Sequence, residues 1–195
     1  AVEKRGAESI RQFSGDDFQL IKAAVMFDIF HRYRKQFDHL ISQQLTEDGS
    51  PIKPLFAEKV LSELATYGLE PGFTFAMCYQ LRRAYFFIDR GVIGRSPAMK
   101  DLRRALWNNV FTYDIELFDQ YLWDKMEDFS TLLLGETGSG KGTAAMAIGR
   151  SGFIPFDEKT GNFSENFARS FIPINLSQFP ESLIESELFG HKKGA

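Results

Sequence analysis

The hydrophobic pattern of residues 16–45 predicts one long amphipathic helix. Large apolar side chains recur there at spacings of three and four residues, at Met26, Phe30, Tyr33, Phe37 and Ile41. This spacing places them on one face of a helix, and Ser14 or Asp16 offers a side-chain oxygen for its N-cap. Because an apolar face of this length is stable only when covered, the helix must pack against a neighbouring element.

The same spacing predicts two shorter helices before residue 91. The first lies near residues 55–67 and ends at Gly68, a residue type that commonly terminates helices. The second covers residues 72–90 and ends before Gly91. Their apolar faces comprise Phe56, Val60, Leu64 and Tyr67 in the first, and Phe73, Met77, Leu81, Ala84 and Ile88 in the second. The three helices together predict a helical regulatory module over residues 1–91.

The pattern changes after Gly91, and a second domain is predicted over residues 92–195. Ser96 and Pro97 are residue types favoured at the N-cap and first position of a helix. This helix and the segment "DIELFDQYLWDKM" have apolar positions at Met99, Leu102, Leu106, Ile115, Leu117, Phe118, Tyr121 and Leu122. The runs "STLLLG" and "SFIPINLS" predict buried strands, each followed by a helical segment. This alternation is typical of a parallel sheet in an α/β fold.

The composition indicates a globular protein without a nucleic-acid-binding tail. Apolar residues make up 44% of the 195 residues, and 23 basic side chains nearly balance 26 acidic ones. Cys78 is the only cysteine and can form no internal disulfide, and no apolar run reaches the roughly 18 residues of a membrane span. We therefore expect a cytoplasmic protein that does not enter the membrane. His31 and His39 lack neighbouring ligand residues, so no metal site is predicted.

The stretch "GETGSGKGT", residues 135–143, predicts a phosphate-binding loop. It follows the predicted strand "STLLLG" and leads directly into the predicted helix "GTAAMAIG", which is the setting that such loops require. Its glycines let successive backbone N–H groups turn toward one point, where the helix also directs its positive end. A lysine adds positive charge for the outer phosphates. The candidate binding residues are Gly135, Glu136, Thr137, Gly138, Ser139, Gly140, Lys141, Gly142 and Thr143.

Gly142 departs from the usual phosphate-loop pattern. The lysine is usually followed by Ser or Thr, whose hydroxyl holds Mg²⁺. Thr143 stands one position late, and one residue of helix turns a side chain by about 100°. We therefore do not expect the Thr143 hydroxyl to replace the missing ligand.

Three segments resemble the ATPase domain of bacterial sigma-54-dependent transcriptional activators, a branch of the AAA+ family. They are "IGRSPAMKDLRRAL", "LLLGETGSGKG" and "FIPINLSQFPESLIESELFGHKKGA", and together they cover about residues 92–195. The resemblance implies a parallel-sheet AAA+ domain that binds ATP and Mg²⁺. It also implies a homo-oligomeric ring that uses ATP hydrolysis to remodel sigma-54 RNA polymerase. Members of that family usually carry glutamate after the lysine, so the missing hydroxyl at Gly142 is less unusual among them.

The resemblance further implies roles for residues toward the end of the chain. Asn175 matches the position of an asparagine that couples the nucleotide site to the loop that contacts sigma-54, and its alternative role is to cap the end of a strand. Gly194 and Ala195 match the first two residues of that loop. The family's catalytic acids, arginine finger and DNA-binding helices have no counterpart in the sequence. We therefore expect a fragment with no catalytic residue of its own, inactive alone, whose DNA contacts lie in a region absent here.

An aromatic insertion over about residues 107–128 departs from the family pattern and indicates a divergent subgroup. It contains Trp107 and Trp123, and its bulky apolar residues fit either a packing element or a contact with a partner or neighbouring subunit. The run "HRYRKQFDH" in the first helix likewise fits either a solvated helix face or a regulatory binding surface.

Two other functions compete with that of an ATP-hydrolysing activator. A nucleotide-gated signalling or interaction module that binds ATP without hydrolysis is consistent with Gly142. A phosphate-loop kinase is not favoured, because phosphoryl transfer to a small molecule does not need the motif "ESELFGHKKGA".

Overall fold

The computed structural model describes residues 10–46, 51–175, 178–180, 183–185 and 190. Its first half contains the helices α1 (Gly15–Arg32), α2 (Arg34–Thr46), α3 (Ala57–Thr66) and α4 (Pro71–Ala84), with a 3₁₀ turn at Ile10–Gln12 and a π-helical extension of α4 at Tyr85–Arg90. The second half contains α5 (Pro97–Phe111), α6 (Ile115–Leu117) with a π-helical extension at Phe118–Leu122, a 3₁₀ turn at Met126–Asp128, α7 (Lys141–Gly149), β1 (Phe156–Asp157), β2 (Asn162–Phe163) and α8 (Phe167–Ser170).

The prediction of one helix over residues 16–45 is wrong, because the chain forms two helices that meet at Tyr33. Ser14 is the N-cap of α1, although its side chain makes no capping hydrogen bond. The predicted stripe is buried in α2, but α1 buries Val25 and Ile29 instead of Met26 and Phe30. The interruption therefore lets the two helices bury different faces.

Helices α3 and α4 begin and end near their predicted limits, and α5 begins at its predicted cap. Gly68 follows α3 with a φ of +78°, a conformation that favours glycine. Ser96 is the N-cap of α5 and its hydroxyl accepts a hydrogen bond from the Met99 N–H at 3.3 Å. Pro97 is the first residue of that helix. These termini confirm the capping signals that the sequence carries.

Helix α4 is the centre of the fold and is buried on nearly all sides rather than along one face. It packs against α1, α2 and α3, and its residues also contact β1. Six aromatic rings from α2, α3's N-terminus, α4 and the two strands form one cluster: Phe37, Phe56, Phe75, Tyr79, Phe156 and Phe163. The sequence predicted one apolar face for this helix, but the buried surface is wider because other elements pack on opposite sides of the helix.

Buried side chains from both sides of residue 91 belong to one hydrophobic cluster. The β1–β2 turn is hydrogen-bonded to the start of α4: the Gly72 N–H donates to Glu158 Oε1 at 2.8 Å. The ring of Tyr79 lies 4.2 Å from that of Phe163. The helical part and the segment after α7 therefore pack against each other.

The described residues contain one sheet, the antiparallel hairpin of β1 and β2. Phe156 pairs with Phe163, and both rings face the core. Gly161 in the connecting turn has a φ of +69°. This hairpin was not predicted from the sequence, although a glycine between two aromatic residues in "FDEKTGNF" is a turn signal.

The two segments predicted as buried strands are neither strands nor buried within the described residues. Residues 131–134 have no strand pairing, and Leu132 and Leu134 are 81% and 84% exposed. Residues 171–175 are also irregular, with Ile172 74% exposed. A strand needs a paired neighbouring strand to be regular and buried, and among the described residues neither segment pairs with another strand. The predicted parallel sheet is thus not seen in the described part of the chain.

The aromatic insertion packs onto the rest of the fold. Phe118 is fully buried, and its ring lies 5.3 Å from that of Phe111. Trp123 lies 5.3 Å from Phe73 of α4 and 4.8 Å from Phe153. These contacts favour the packing role for Trp123. None of the described helices has the length and apolar character needed to cross a membrane.

Candidate phosphate-binding site

The predicted phosphate loop lies on the surface between the irregular segment 131–134 and α7. Gly138 and Gly140 have φ values of +81° and +93°, which residues with a β-carbon adopt rarely. Gly140 is the N-cap of α7. A turn before it is closed by a hydrogen bond from the Ser139 N–H to the Glu136 carbonyl at 3.2 Å. The glycines are therefore required by the backbone path of the loop.

Helix α7 begins with its N-terminal end open to solvent. Its first hydrogen bond runs from the Ala144 N–H to the Gly140 carbonyl at 3.0 Å, so the N–H groups of residues 141–143 precede the helical ladder. Gly142 and Thr143 are exposed. Unused N–H donors and the positive end of the helix dipole together favour an anion at this point.

Lys141 is folded back onto the loop that precedes it. Its ammonium donates hydrogen bonds to the Gly135 carbonyl at 2.8 Å and the Glu136 carbonyl at 2.7 Å. Both acceptors are neutral, so an incoming phosphate oxygen would offer the ammonium a stronger, charge-assisted partner. The lysine is thus held at the loop, and among the described residues no carboxylate lies within ion-pair distance of its ammonium.

Position 142 of the loop offers space but no side-chain ligand. A β-carbon added to Gly142 would meet no atom within 4 Å, so the position has room for a side chain but supplies no hydroxyl. Across the described ranges, no group of three or more His, Cys, Asp or Glu side chains is arranged to hold a metal ion. Glu136, Thr137 and Ser139 are exposed on the loop.

Of the remaining predicted site residues, the structure describes Asn175 alone. Asn175 is exposed, and its carbonyl accepts a hydrogen bond from the Gln178 N–H at 3.1 Å. Gly194 and Ala195 lie outside the described residues. Their proposed roles stay predictions.

Sequence reasoning missed two polar residues of α4 that contact the other end of α7. The Arg83 guanidinium donates to the carbonyls of Arg150, at 2.8 Å, and Gly152, at 2.6 Å. The Gln80 side-chain amide donates to the Ser151 carbonyl at 3.0 Å. Both side chains are buried. Their only sequence signal is that polar residues, with Arg82 among them, occur near the end of a largely apolar helix, a pattern that also fits a solvated face.

Comparison with known proteins relates the C-terminal part of the chain to one family. Residues 114–195, less than half of the chain, match the family described as "Sigma-54 interaction domain". No solved structure shows significant similarity to the chain. The match confirms, for these residues, the resemblance to sigma-54-dependent activators.

Curated relatives are transcriptional regulators much longer than this chain. The chain is 35% identical over 104 residues to the DNA-binding transcriptional regulator NtrC of Azospirillum brasilense, covering 53% of the chain and 16% of that protein. It is 34% identical over 117 residues to the C4-dicarboxylate transport transcriptional regulatory protein DctD of Rhizobium meliloti, covering 59% and 20%. It is 44% identical over 66 residues to the Sigma54-dependent transcriptional regulator SfnR of Pseudomonas fluorescens, covering 34% and 15%. The chain thus spans a fifth or less of these relatives.

Proposed function

From the relationship of residues 114–195 to the sigma-54 interaction domain, we propose that the protein is an ATP-dependent regulator of transcription that acts on sigma-54 RNA polymerase. The observation that carries the proposal is the loop itself: positive-φ glycines at 138 and 140 lead into α7, and Lys141 is held over the loop. Residues 135–143 would bind the phosphates of ATP. The helices before residue 91 would form its regulatory module.

The chain's own groups would act on the phosphates by position and charge. The N–H groups of residues 141–143 would donate to phosphate oxygens, and the helix dipole would favour their negative charge. Lys141 would leave the carbonyls of Gly135 and Glu136 for the outer phosphates. Mg²⁺ would enter with the nucleotide, and we assign it no side-chain ligand because Gly142 has no hydroxyl.

The proposed regulator would work as a cytoplasmic, homo-oligomeric ring. It would have the parallel sheet of the ATPase domain that it resembles, with Asn175 coupling the nucleotide site to the sigma-54-contacting loop that begins at Gly194 and Ala195. ATP hydrolysis in the ring would then remodel the polymerase. Contacts with DNA would come from other parts of the protein.

One observation favours a second candidate function. Position 142 supplies no metal ligand, so the loop also fits a module that binds ATP as a signal without hydrolysing it. The two candidates share the same phosphate contacts and differ in whether phosphate is released.

The test measures ATP binding and phosphate release by the protein at its full natural length, together with its binding to purified sigma-54 RNA polymerase. We expect release of phosphate, ATP-dependent association with the polymerase, and loss of both in Lys141→Ala. Lys159→Ala, which changes an exposed lysine in the β1–β2 turn, is the matched control and should behave as wild type. ATP binding without phosphate release would favour the second candidate, and absence of ATP binding would overturn both.

A further inference from the structure

The C-terminal end of α7 is held by side chains of α4. Arg83 and Gln80, one helical turn apart, donate hydrogen bonds to three consecutive carbonyls, those of Arg150, Ser151 and Gly152. The last carbonyls of a helix and those just beyond it lack partners in the helix itself, and burying them unpaired is unfavourable. We name this set of three hydrogen bonds the α4–α7 clamp.

Arg83 holds its position in the clamp without an ion pair among the described residues, although the Glu165 carboxylate acts on it from a longer distance. Its side chain is fully buried, and among the described residues no carboxylate lies within ion-pair distance of it. Its guanidinium carbon lies 4.5 Å from the centre of the Tyr79 ring and 5.8 Å from that of Phe167. Burial lowers the pKa of Arg83 to about 10, so the group still carries its charge at neutral pH.

A buried charge of this kind is not the simplest way to stabilise a core. An apolar side chain of similar volume would avoid the loss of hydration that a buried guanidinium suffers. The charge here lies at the negative end of the α7 dipole, where a cation is favoured. Arg83 therefore fits this particular helix end, and it constrains where that end lies relative to α4.

The clamp and the phosphate loop are joined by one short, rigid element. Helix α7 has nine residues, so its ends are separated by about 13 Å. Its buried residues are the small side chains Ala144 and Ala147, which let it approach its neighbours closely. The Ser151 hydroxyl adds a hydrogen bond to the Ala147 carbonyl at 2.6 Å. A shift of the C-terminal end of α7 would therefore be carried to Gly140 and Lys141 at the other end.

We propose that Gln80 and Arg83 are positioning residues for the phosphate loop, and that through them the helical part of the chain and the nucleotide site are coupled. The inference rests on the proposed binding of ATP at residues 135–143. Because coupling between two sites is reciprocal, ATP should stabilise α4 as much as the clamp favours ATP binding.

The test compares the dissociation constant for Mg-ATP in wild type, Arg83→Met and Arg82→Met, at full natural length and at a temperature where all three are folded. Arg82 is the matched control, because it is the preceding residue of α4, is also buried, and donates hydrogen bonds at 2.7 Å to Asp38 of α2 instead of to α7. We expect Arg83→Met to weaken ATP binding by about tenfold. Arg82→Met should lower stability but leave the dissociation constant within about twofold of wild type.

Amide exchange supplies the reciprocal readout. ATP should slow exchange in residues 76–84 of wild type and of Arg82→Met, and should have much less effect there in Arg83→Met. Gln80→Met removes one of the three hydrogen bonds and should weaken ATP binding about threefold, which keeps the test decisive if Arg83→Met does not fold.

The possible outcomes distinguish a failure of the proposed coupling from a failure of the proposed ATP binding. Wild type that binds ATP, with Arg83→Met and Gln80→Met binding it equally well, would overturn the coupling and leave the proposed function standing. Equal weakening by Arg82→Met and Arg83→Met would also overturn it, because the effect would then be general destabilisation. Wild type that binds no ATP would overturn the proposed function and the coupling together.

Discussion

The two ends of α7 are built for different purposes. At the N-terminal end the backbone is exposed and glycine-rich, and the N–H groups of residues 141–143 stand before the helical ladder. At the C-terminal end the carbonyls of residues 150–152 accept hydrogen bonds from buried side chains of α4. One end thus keeps its polar groups open to a ligand, whereas the other satisfies them within the protein. Changes at the first end should alter binding, and changes at the second should alter stability first.

The largest expected effect on stability comes from the clamped end. Arg83→Ala would leave the carbonyls of Arg150 and Gly152 without donors and open a cavity between α4 and α7, so we expect a loss of about 3 kcal/mol in the free energy of unfolding. Lys141→Ala, at the open end, should change it by less than about 1 kcal/mol without ligand. Urea unfolding of the two variants measures both values. Equal losses would mean that the two ends do not differ as described.

A glycine-to-alanine substitution should change the free energy of unfolding in opposite directions at the two ends of α7. A β-carbon at Gly149 would lie 2.4 Å from the Phe171 ring, so Gly149→Ala should lower the free energy of unfolding by about 1 to 2 kcal/mol. A β-carbon at Gly142 meets nothing within 4 Å, so Gly142→Ala should raise it by about 0.5 kcal/mol through helix propensity. Thermal unfolding of this matched pair tests the packing, and destabilisation by Gly142→Ala would contradict the open geometry.

A smaller effect concerns the burial of α4, which carries the clamp. Complete burial raises the pKa of the Cys78 thiol from 9.0 to about 12. The unfolded chain therefore ionises this thiol at a lower pH than the folded protein, so its contribution to stability is present below pH 9 and is lost as pH rises toward 12. Between pH 8 and pH 10 the free energy of unfolding should fall by roughly 1 kcal/mol more in wild type than in Cys78→Ala.

Complete burial of Cys78 should also slow the reaction of its thiol with reagents. A thiol-specific reagent at pH 8 should react with it only as fast as the protein unfolds. Rapid labelling of the folded protein, or identical pH profiles for wild type and Cys78→Ala, would show that α4 is not enclosed on all sides.

The sequence predicted helices better than strands for a physical reason. A helix such as α3 or α5 satisfies its backbone within one segment, so its spacing, its N-cap at Ser96 and its terminating Gly68 are local signals. A strand depends on neighbours that the local sequence does not reveal. Residues 131–134 have the composition of a buried strand, yet within the described chain they are unpaired and exposed. The hairpin of β1 and β2 was missed because each strand has two residues, too few for an alternating pattern.

In the candidate site too, features set by local sequence were predictable and features set by distant contacts were not. The loop was predictable because glycine spacing, Lys141 and the following helix are contiguous, and the positive φ values of Gly138 and Gly140 agree with that reading. The clamp was not predictable, because Arg83 and Arg150 are 67 residues apart and meet only after α4 packs beside α7. The end of α1 at Tyr33 was likewise not predictable, because the helical spacing of apolar residues continues from α1 into α2.

The most direct test of the central claim is thermal unfolding with and without Mg-ATP at about a hundredfold excess over the dissociation constant, using the protein at full natural length. If the backbone of residues 138–142 and the Lys141 ammonium hold the phosphates, ATP should stabilise wild type by roughly 2.7 kcal/mol, which raises Tm by about 5 to 11 °C for a domain of this size. Gly142→Ser should show nearly the same shift, and Lys141→Ala should lose most of it. A wild type that shows no shift, or a shift that appears only in Gly142→Ser, would contradict the account.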